Sequence, residues 1–111
     1  MTTPSQSDRP AMYRYHNGDK SPLPFESAEY EARLAELRER MDAAGAQVAV
    51  FTSMHNIAYY SGFLYCSFGR PYGLVVTPTD SVTISAGIDA AQPWRRCHGD
   101  NLTYTDWARD N

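Results

Sequence analysis

The chain has 111 residues, 13 acidic and 10 basic side chains, a formal charge of −3 and a hydrophobic content of 42%. This size fits a single domain, since single domains usually contain about 100 to 150 residues. A slightly acidic balance without any run of Lys or Arg excludes the electrostatic signature of a nucleic-acid-binding protein. No apolar run approaches the roughly 20 residues that a membrane-spanning helix needs, so no membrane insertion is expected.

Residues 1–12 are predicted to be a disordered leader and residues 13–111 to be the folded domain, because the leader has no hydrophobic periodicity. The first eleven residues lack the apolar segment of a signal peptide. The two cysteines, Cys66 and Cys97, are fewer than a disulfide-stabilised secreted domain of this size normally carries. We therefore expect a cytoplasmic, reducing environment.

The strongest periodic signal predicts an amphipathic helix that begins at Ser27 as its N-cap and ends at Gly45. Its apolar residues recur every three or four positions and are Tyr30, Leu34, Leu37, Met41 and Ala44. The opposite face is predicted to be solvated surface, and its charged residues are Arg33, Glu36, Arg38, Glu39, Arg40 and Asp42.

Two further elements are predicted directly after this helix. Residues 48–52, VAVFT, show no polar alternation and predict a strand that helices cover on both faces. Residues 54–60 predict a short helical connection with Ser53 as its N-cap and Gly62 at its end.

The second half of the chain reads mainly as strands. Residues 72–77 and 82–86 flank a turn with the sequence PTDS, which predicts an antiparallel hairpin. Residues 88–97 predict a short helix with Pro93 in its first turn or at a kink. Residues 102–105 predict another strand, after which Asp106 looks like the N-cap of a helix that is too short to be stable. The domain is therefore expected to be incomplete at its C-terminal end.

The sequence gives little support for self-contained catalysis. The three histidines are far apart and have no second ligand at metal-binding spacing, so no metal site is expected. No serine or cysteine lies in a recognisable nucleophile motif, and the glycines lack the spacing of a phosphate-binding loop. We assign no catalytic residue and no cofactor to this chain.

The most unusual segment is FLYCSFGRPY, residues 63–72, in which four aromatic residues surround one arginine. Loops of this composition often bind ligands. Arg70 could grip a carboxylate through two hydrogen bonds, and the ring of Phe68 could lie against a planar cation. Alternatively, Arg70 makes a surface ion pair while the aromatic residues complete a small core, and residue types alone favour this second interpretation.

The segment Trp94-Arg95-Arg96 is a second candidate, because Trp and Arg are enriched at the centres of protein interfaces. An equally consistent interpretation is a partly buried tryptophan beside two solvated charges. The residues alone leave both interpretations open.

Several segments together resemble the N-terminal domain of the creatinase family (creatine amidinohydrolases) of the pita-bread group. They are NGDK at 17–20, the helix around Tyr30, residues 51–72, QPWRR at 92–96 and YTDW at 104–107. The pattern NIxYxxGF from Asn56 also resembles proline-specific peptidases of the same group. CSFGRPY and QPWRR are more typical of creatinases.

The resemblance implies an α/β fold with a mixed sheet flanked by helices, as in the N-terminal domains of creatinase and aminopeptidase P. It also implies that the intact enzyme is a homodimer that hydrolyses creatine, a linear amidine, to sarcosine and urea. The catalytic groups of such an enzyme lie in a larger C-terminal domain that uses no metal.

Phe68 and Arg70 match the family residues that reach into the neighbouring subunit's site and contact creatine. The resemblance therefore favours a substrate-anchoring and dimer-contact domain that is inactive by itself. The alternatives are a non-catalytic binding or dimerisation module and the N-terminal domain of a proline-peptidase-like enzyme.

Overall fold

The computed structural model of the chain describes residues 12–14, 16, 18–64, 71–87 and 92–104. Its elements in chain order are β1 (Met12–Tyr13), α1 (Ser27–Ala44), β2 (Ala49–Phe51), α2 (Met54–Ser61), β3 (Gly73–Val76), β4 (Ser81–Ala86), α3 (Gln92–Arg95) and β5 (Asp100–Tyr104). The strands form one sheet in the order β1-β5-β4-β3-β2. Strands β4 and β5 are parallel and all other neighbours are antiparallel. The predicted mixed α/β fold is confirmed.

Helix α1 packs on the sheet through the predicted apolar stripe, of which Tyr30, Leu34 and Met41 are buried. Ala44 is exposed, so the buried stripe ends one turn before the helix does. The prediction of Ser27 as N-cap was wrong. Ser27 is the first helical residue, and the extended residue before it, Glu26, is the N-cap without a capping side-chain hydrogen bond.

The C-terminal end of α1 is a Schellman motif centred on Gly45. The backbone N–H of Gly45 donates to the carbonyl of Asp42, and that of Ala46 donates to the carbonyl of Met41 at 2.8 Å. Gly45 adopts φ +74°, a left-handed conformation that favours glycine, so the predicted helix end is confirmed.

Two arginines on the predicted solvent face of α1 are not simply solvated. The side chain of Arg33 is only 13% exposed, and Arg38 donates from Nε to the carbonyl of Thr77 at 2.8 Å. Both side chains lie at the border of the helix, where their long stems reach neighbouring elements. The exposed pair Glu36 and Arg40 does behave as predicted, since its ion pair lies in solvent.

Strand β2 lies at the edge of the sheet and has one exposed face, so the prediction of a strand covered on both faces was wrong. Val48 and Val50 are 52% and 64% exposed. Ala49 and Phe51 point the other way and pack against the core that Leu74 of the neighbouring strand also enters. An apolar run without alternation is compatible with this position because helices α1 and α2 cover only one face of β2.

Strands β3 and β4 form the predicted hairpin, with Val75 opposite Val82. The turn is closed by a hydrogen bond of 2.8 Å from the N–H of Thr77 to the carbonyl of Asp80. Helix α3 is confirmed only as a single turn, and Pro93 is buried in it. Of the rest of the predicted helix, residues 96 and 97 are not helical, and residues 88–91 lie outside the described residues.

A polar layer joins the two parallel strands on the covered face of the sheet. The buried side-chain amide of Asn101 in β5 donates to the carbonyl and hydroxyl of Thr83 and to the hydroxyl of Ser85 in β4. These contacts give the buried amide nitrogen its acceptors, whereas Oδ1 of Asn101 has no hydrogen-bond partner among the described residues. Sequence patterning did not predict this cluster.

Strand β1 pairs Met12 with Tyr104 and therefore begins one residue before the predicted domain boundary. The predicted leader up to residue 11, Cys66 and the predicted C-terminal helix at 106 lie outside the described residues. Among the residues that the structure describes, no helix is both long enough and apolar enough to cross a membrane.

Candidate functional site

The predicted ligand-binding residues Phe68 and Arg70 lie outside the described residues, which include both ends of their segment. Phe63 precedes the segment and is only 1% exposed. Its ring meets the ring of Tyr72, which follows the segment, edge to face, with the centroids 5.6 Å apart. The two described residues that flank the segment are therefore in contact with each other.

The first end of the segment is fixed by the sharp stop of α2 at Gly62. Gly62 has φ +73°, and its N–H donates to the carbonyl of Ala58 at 2.8 Å. A Cβ atom at this position would lie 2.8 Å from Oη of Tyr30 and 3.0 Å from Cδ1 of Leu23. Glycine is therefore required twice, for its backbone conformation and for space.

The hydroxyl group of Ser61 adds two hydrogen bonds beside this turn. The hydroxyl of Ser61 donates to the carbonyl of Ile57 and accepts from the N–H of Phe63 at 3.2 Å. Ser53, as predicted, is the N-cap of α2 and accepts a long hydrogen bond, 3.5 Å, from the N–H of Asn56. Local sequence signals thus determine where Phe63 emerges from the helix.

The other end of the segment is tied to the sheet by Tyr104, the last residue of β5. The Tyr104 hydroxyl donates to the carbonyl of Pro71 at 2.8 Å. Tyr104 is paired on both sides, with Ala86 of β4 and Met12 of β1. The residue after Arg70 is therefore held from a paired strand.

A second cluster joins two segments that the family resemblance had singled out separately, residues 17–20 and 92–96. Nζ of Lys20 lies 4.4 Å from the centroid of the Trp94 ring. It donates to the carbonyls of Trp94 at 2.7 Å, Cys97 at 2.9 Å and Gly99 at 2.9 Å. One ammonium group thus binds the carbonyls of the turn that connects α3 to β5.

Two hydrogen bonds to backbone carbonyls reinforce this cluster. Nε of Arg95 donates to the carbonyl of Asp19 at 2.9 Å, and the N–H of Ser21 donates to the carbonyl of Arg95 at 2.7 Å. Trp94 is partly buried, as one of the two interpretations expected. Arg95 makes a specific contact, whereas its neighbour Arg96 is exposed.

Asp100, the first residue of β5, is the anionic centre of the same region. It accepts from Nε of Arg14 at 2.8 Å, and its other oxygen lies 2.8 Å from Nε2 of His16, whose ring stacks on Trp94. Partial burial favours the protonated carboxyl. Hydrogen bonds from Arg14, the backbone of Asn101 and His16 outweigh it and hold the pKa of Asp100 below its ordinary value.

Lys20 and Cys97, which belong to the same cluster, influence each other's pKa. Burial raises the pKa of the Cys97 thiol, and the nearby Lys20 ammonium only partly opposes this. Burial lowers the pKa of Lys20, opposed by Cys97 and Asp100. A buried thiol with a raised pKa is a poor nucleophile, so Cys97 contributes packing here.

An open cavity of about 450 Å³ lies beside this cluster, between residues 20–27 and 97–99. Its rim carries His98, which contacts Glu31 and stacks on Tyr30 with the ring centroids 5.6 Å apart. Within the described part of the chain, no three His, Cys, Asp or Glu side chains are grouped to hold a metal ion.

Comparison with known proteins assigns the chain to a family. Residues 33–92, more than half of the chain, match the model of the Creatinase/Prolidase N-terminal domain. The chain belongs to this family. Creatinase from Bacillus sp. (strain B-0618) is 52% identical over 96 residues, which cover 86% of this chain and 23% of the Bacillus protein. The creatinase-type domain described here therefore spans about a quarter of that relative's length.

Solved structures show the same fold. The Creatinase/Prolidase N-terminal domain of an X-Pro dipeptidase from Streptococcus pyogenes is 25% identical, with a TM-score of 0.61 over 68% of this chain and 58% of that one. Dipeptidase PepE from Mycobacterium ulcerans is 22% identical, with a TM-score of 0.53 over 74% of this chain and 24% of that one. Creatinase-type and proline-dipeptidase enzymes thus share this N-terminal architecture.

Proposed function

We propose that this domain serves an enzyme that hydrolyses creatine to sarcosine and urea, as its substrate-anchoring and dimer-contact part. The observation that carries the proposal is the 52% identity to a creatinase, against 25% to an X-Pro dipeptidase domain. The segments that resemble creatinases, at 17–20 and 92–96, also meet in one cluster around Lys20 and Trp94, which supports a shared local structure.

The proposed binding residues are Arg70 and Phe68. Arg70 holds the carboxylate of creatine through its planar guanidinium group, and Phe68 packs against the guanidinium end of the substrate. Both residues orient creatine in the active site of a neighbouring subunit of a homodimer and transfer no proton. The ring contact between Phe63 and Tyr72 supports this role, because the described residues on either side of the segment lie together in the fold.

The chemistry requires a further domain. Hydrolysis adds water oxygen to the guanidinium carbon, breaks the bond from that carbon to the sarcosine nitrogen, and delivers a proton to this leaving nitrogen. A general base and a general acid are needed. Lys20 and Cys97 do not supply them, since the ammonium is engaged by three carbonyls and the thiol is buried. We place the base and the acid in the C-terminal domain of the neighbouring subunit. We also propose that the enzyme is cytoplasmic.

A chimera tests the proposal. The segment of the Bacillus creatinase that matches this chain is replaced by the 96 matched residues, and urea release from creatine is measured. We expect an active chimera, whereas the 111-residue chain alone releases no urea. Arg70→Ala in the chimera is expected to lower kcat/KM, because the carboxylate loses its charged partner. The expected loss of transition-state stabilisation is about 2 to 4 kcal/mol. Arg40→Ala, in an exposed ion pair of α1, is the matched control.

The streptococcal neighbours favour one alternative, the N-terminal domain of an enzyme that cleaves X-Pro dipeptides. Transplanting the same segment into an X-Pro dipeptidase provides the competing test. If that chimera cleaves a proline dipeptide and the creatinase chimera is inactive, the substrate is a proline peptide and the creatine proposal is wrong. Unchanged kcat/KM in Arg70→Ala would remove Arg70 from the site.

A further inference from the structure

We infer that the turn of residues 94–99 is a preformed binding site for a primary ammonium ion, and that the side chain of Lys20 is its built-in ligand. The site belongs to the domain itself and does not depend on the substrate of the enzyme. Three features support it, namely the geometry of the carbonyl groups, the contacts that fix them, and the cavity beside them.

Three backbone carbonyls and one aromatic ring surround the Nζ atom of Lys20. The carbonyl oxygens of Trp94, Cys97 and Gly99 lie 2.7, 2.9 and 2.9 Å from it. These distances are those of N–H···O hydrogen bonds, and they exceed the roughly 2.0 to 2.6 Å at which Mg²⁺ and Ca²⁺ bind oxygen. An ammonium group has three N–H donors, one for each carbonyl. The indole face of Trp94, 4.4 Å away at its centroid, attracts the positive charge as well.

The carbonyls are held by contacts in which the ammonium group takes no part. The backbone N–H of His98 donates to the carbonyl of Ser61 at 2.6 Å, so the turn is tied to the end of α2. Gly99 packs closely on β4, where a Cβ atom at Gly99 would lie 2.6 Å from the carbonyl oxygen of Ser81. The side chain of Cys97 is buried in the core. We therefore expect the three carbonyls to keep their directions when the ammonium group is removed.

The segment that carries Lys20 is also fixed without its side chain. The N–H of Ser21 donates to the carbonyl of Arg95 at 2.7 Å, and Nε of Arg95 donates to the carbonyl of Asp19 at 2.9 Å. The open cavity of about 450 Å³ has Lys20 and residues 97–99 in its wall. A small cation from solution can therefore reach the carbonyls once the Lys20 side chain is shortened.

Chemical rescue in the 111-residue chain tests the site. Lys20→Ala empties the site, whereas Lys20→Met fills it with an apolar side chain and is the matched control. The melting temperature of each variant is measured in methylammonium chloride and in tetramethylammonium chloride at equal concentrations. Methylammonium has three N–H donors, and tetramethylammonium has the same charge and no N–H donor. We expect methylammonium, at about four times its Kd, to raise the Tm of Lys20→Ala by about 4 °C.

The other samples show whether the rescue is specific. In Lys20→Met and in the wild-type chain the site is filled, so the two salts are expected to give equal melting temperatures. Tetramethylammonium is expected to leave Lys20→Ala without rescue. An equal effect of both salts on Lys20→Ala would overturn the inference, as would an equal methylammonium effect on Lys20→Ala and wild type. The absence of any methylammonium effect on Lys20→Ala would overturn it too.

The wild-type chain provides a test that needs no folded variant. Lys20 is the single lysine, so isotope-labelled lysine gives one side-chain ammonium signal in NMR spectra. We expect its protons to exchange with water about tenfold more slowly than those of free lysine, because each is hydrogen-bonded to a carbonyl. The ring of Trp94 should also shift their resonance upfield. Exchange as fast as in free lysine, without a ring-induced shift, would overturn the inference.

Discussion

The ammonium group of Lys20 lies over the indole ring of Trp94, 4.4 Å from its centroid, and donates a hydrogen bond of 2.7 Å to the carbonyl of the same residue. The two residues are 74 positions apart in the sequence. Lys20 is the single lysine of the chain. The contact joins the segment before α1 to the turn before β5, so it links both ends of the described domain.

Lys20→Met is expected to lower the free energy of unfolding by about 2 kcal/mol, because carbonyls that received hydrogen bonds from a charged donor lose them. Urea denaturation of the chain measures the change. Arg96→Met removes an exposed cation from the same turn and serves as control, with an expected change below about 0.5 kcal/mol. Equal denaturation midpoints for the two variants would contradict a structural role for Lys20.

Asp100 is expected to make the stability of the domain sensitive to acid. Its pKa in the folded state lies below the ordinary value of 3.8, so the folded state favours the ionised carboxylate. The resulting stabilisation is present above the ordinary pKa and is lost as the pH falls through the lower folded value. The stability difference between wild type and Asp100→Asn should therefore be largest near neutral pH and shrink below 3.8.

Unfolding free energies of both proteins at a series of pH values measure this dependence. Glu39→Gln, which neutralises an exposed carboxylate on α1, controls for the change in net charge. The explanation fails if the stability difference for Asp100→Asn is the same in acid as at neutral pH.

Gly62 and Gly45 form a matched pair that separates backbone strain from steric conflict. Both have φ near +74°, with values of 73° and 74°. A Cβ at Gly45 meets nothing within 4 Å, whereas a Cβ at Gly62 lies 2.8 Å from the Tyr30 hydroxyl. Gly45→Ala is expected to cost about 1 kcal/mol for the left-handed conformation alone. Gly62→Ala should cost about 1 to 3 kcal/mol more, because the Tyr30 ring must also move.

Thermal denaturation of the two alanine variants gives the comparison. A similar loss of stability in both would show that the space around Gly62 adapts freely. In that case the position of Phe63 would not depend on the close approach of Gly62 to Tyr30.

Arg33 and Arg40 test what an arginine on α1 contributes when it is surrounded by rings. Each forms an ion pair with a glutamate four residues earlier, at 2.9 and 2.8 Å. The guanidinium of Arg33 also lies 4.5 Å from the ring centroid of Phe25 and 4.2 Å from that of Tyr59, and it donates to the Tyr59 carbonyl. Arg33→Ala is expected to cost about 2 kcal/mol and Arg40→Ala below about 0.5 kcal/mol.

Chemical denaturation of both alanine variants measures the difference, and Arg33→Lys adds a further comparison. Lysine keeps the charge but lacks the planar group that stacks between rings, so it should recover less than half of the loss. Complete recovery by lysine would mean that charge alone holds this part of α1.

Local signals in the sequence were sufficient for the buried side of α1, for α2 and for the hairpin of β3 and β4. The three- and four-residue spacing from Tyr30 to Met41 predicted the buried side of α1, and the turn between β3 and β4 predicted their hairpin. Ser53 and Gly62 predicted both ends of α2. These features depend on residues that are close in the chain, so periodicity and capping chemistry contain the information.

The prediction for β2 shows where such reasoning stops. The apolar run from Val48 predicted a strand buried on both faces, but the strand order places it at the edge with Val50 largely exposed. Whether another element covers a given face of a strand depends on how the whole sheet packs, and no window of five residues contains that information. Arg33 was assigned to solvent for the same reason, because its contacts with Phe25 and Tyr59 come from segments outside α1.

The sequence by itself determined helices α1 and α2, the hairpin, the α/β class and the family resemblance. The tertiary structure alone decided that Lys20 binds the turn after Trp94 and that Tyr104 holds the carbonyl of Pro71. The physical reason is that each of these contacts joins residues more than thirty positions apart. Both contacts need strand β5 in place, since Lys20 binds the turn that precedes β5 and Tyr104 is the last residue of β5.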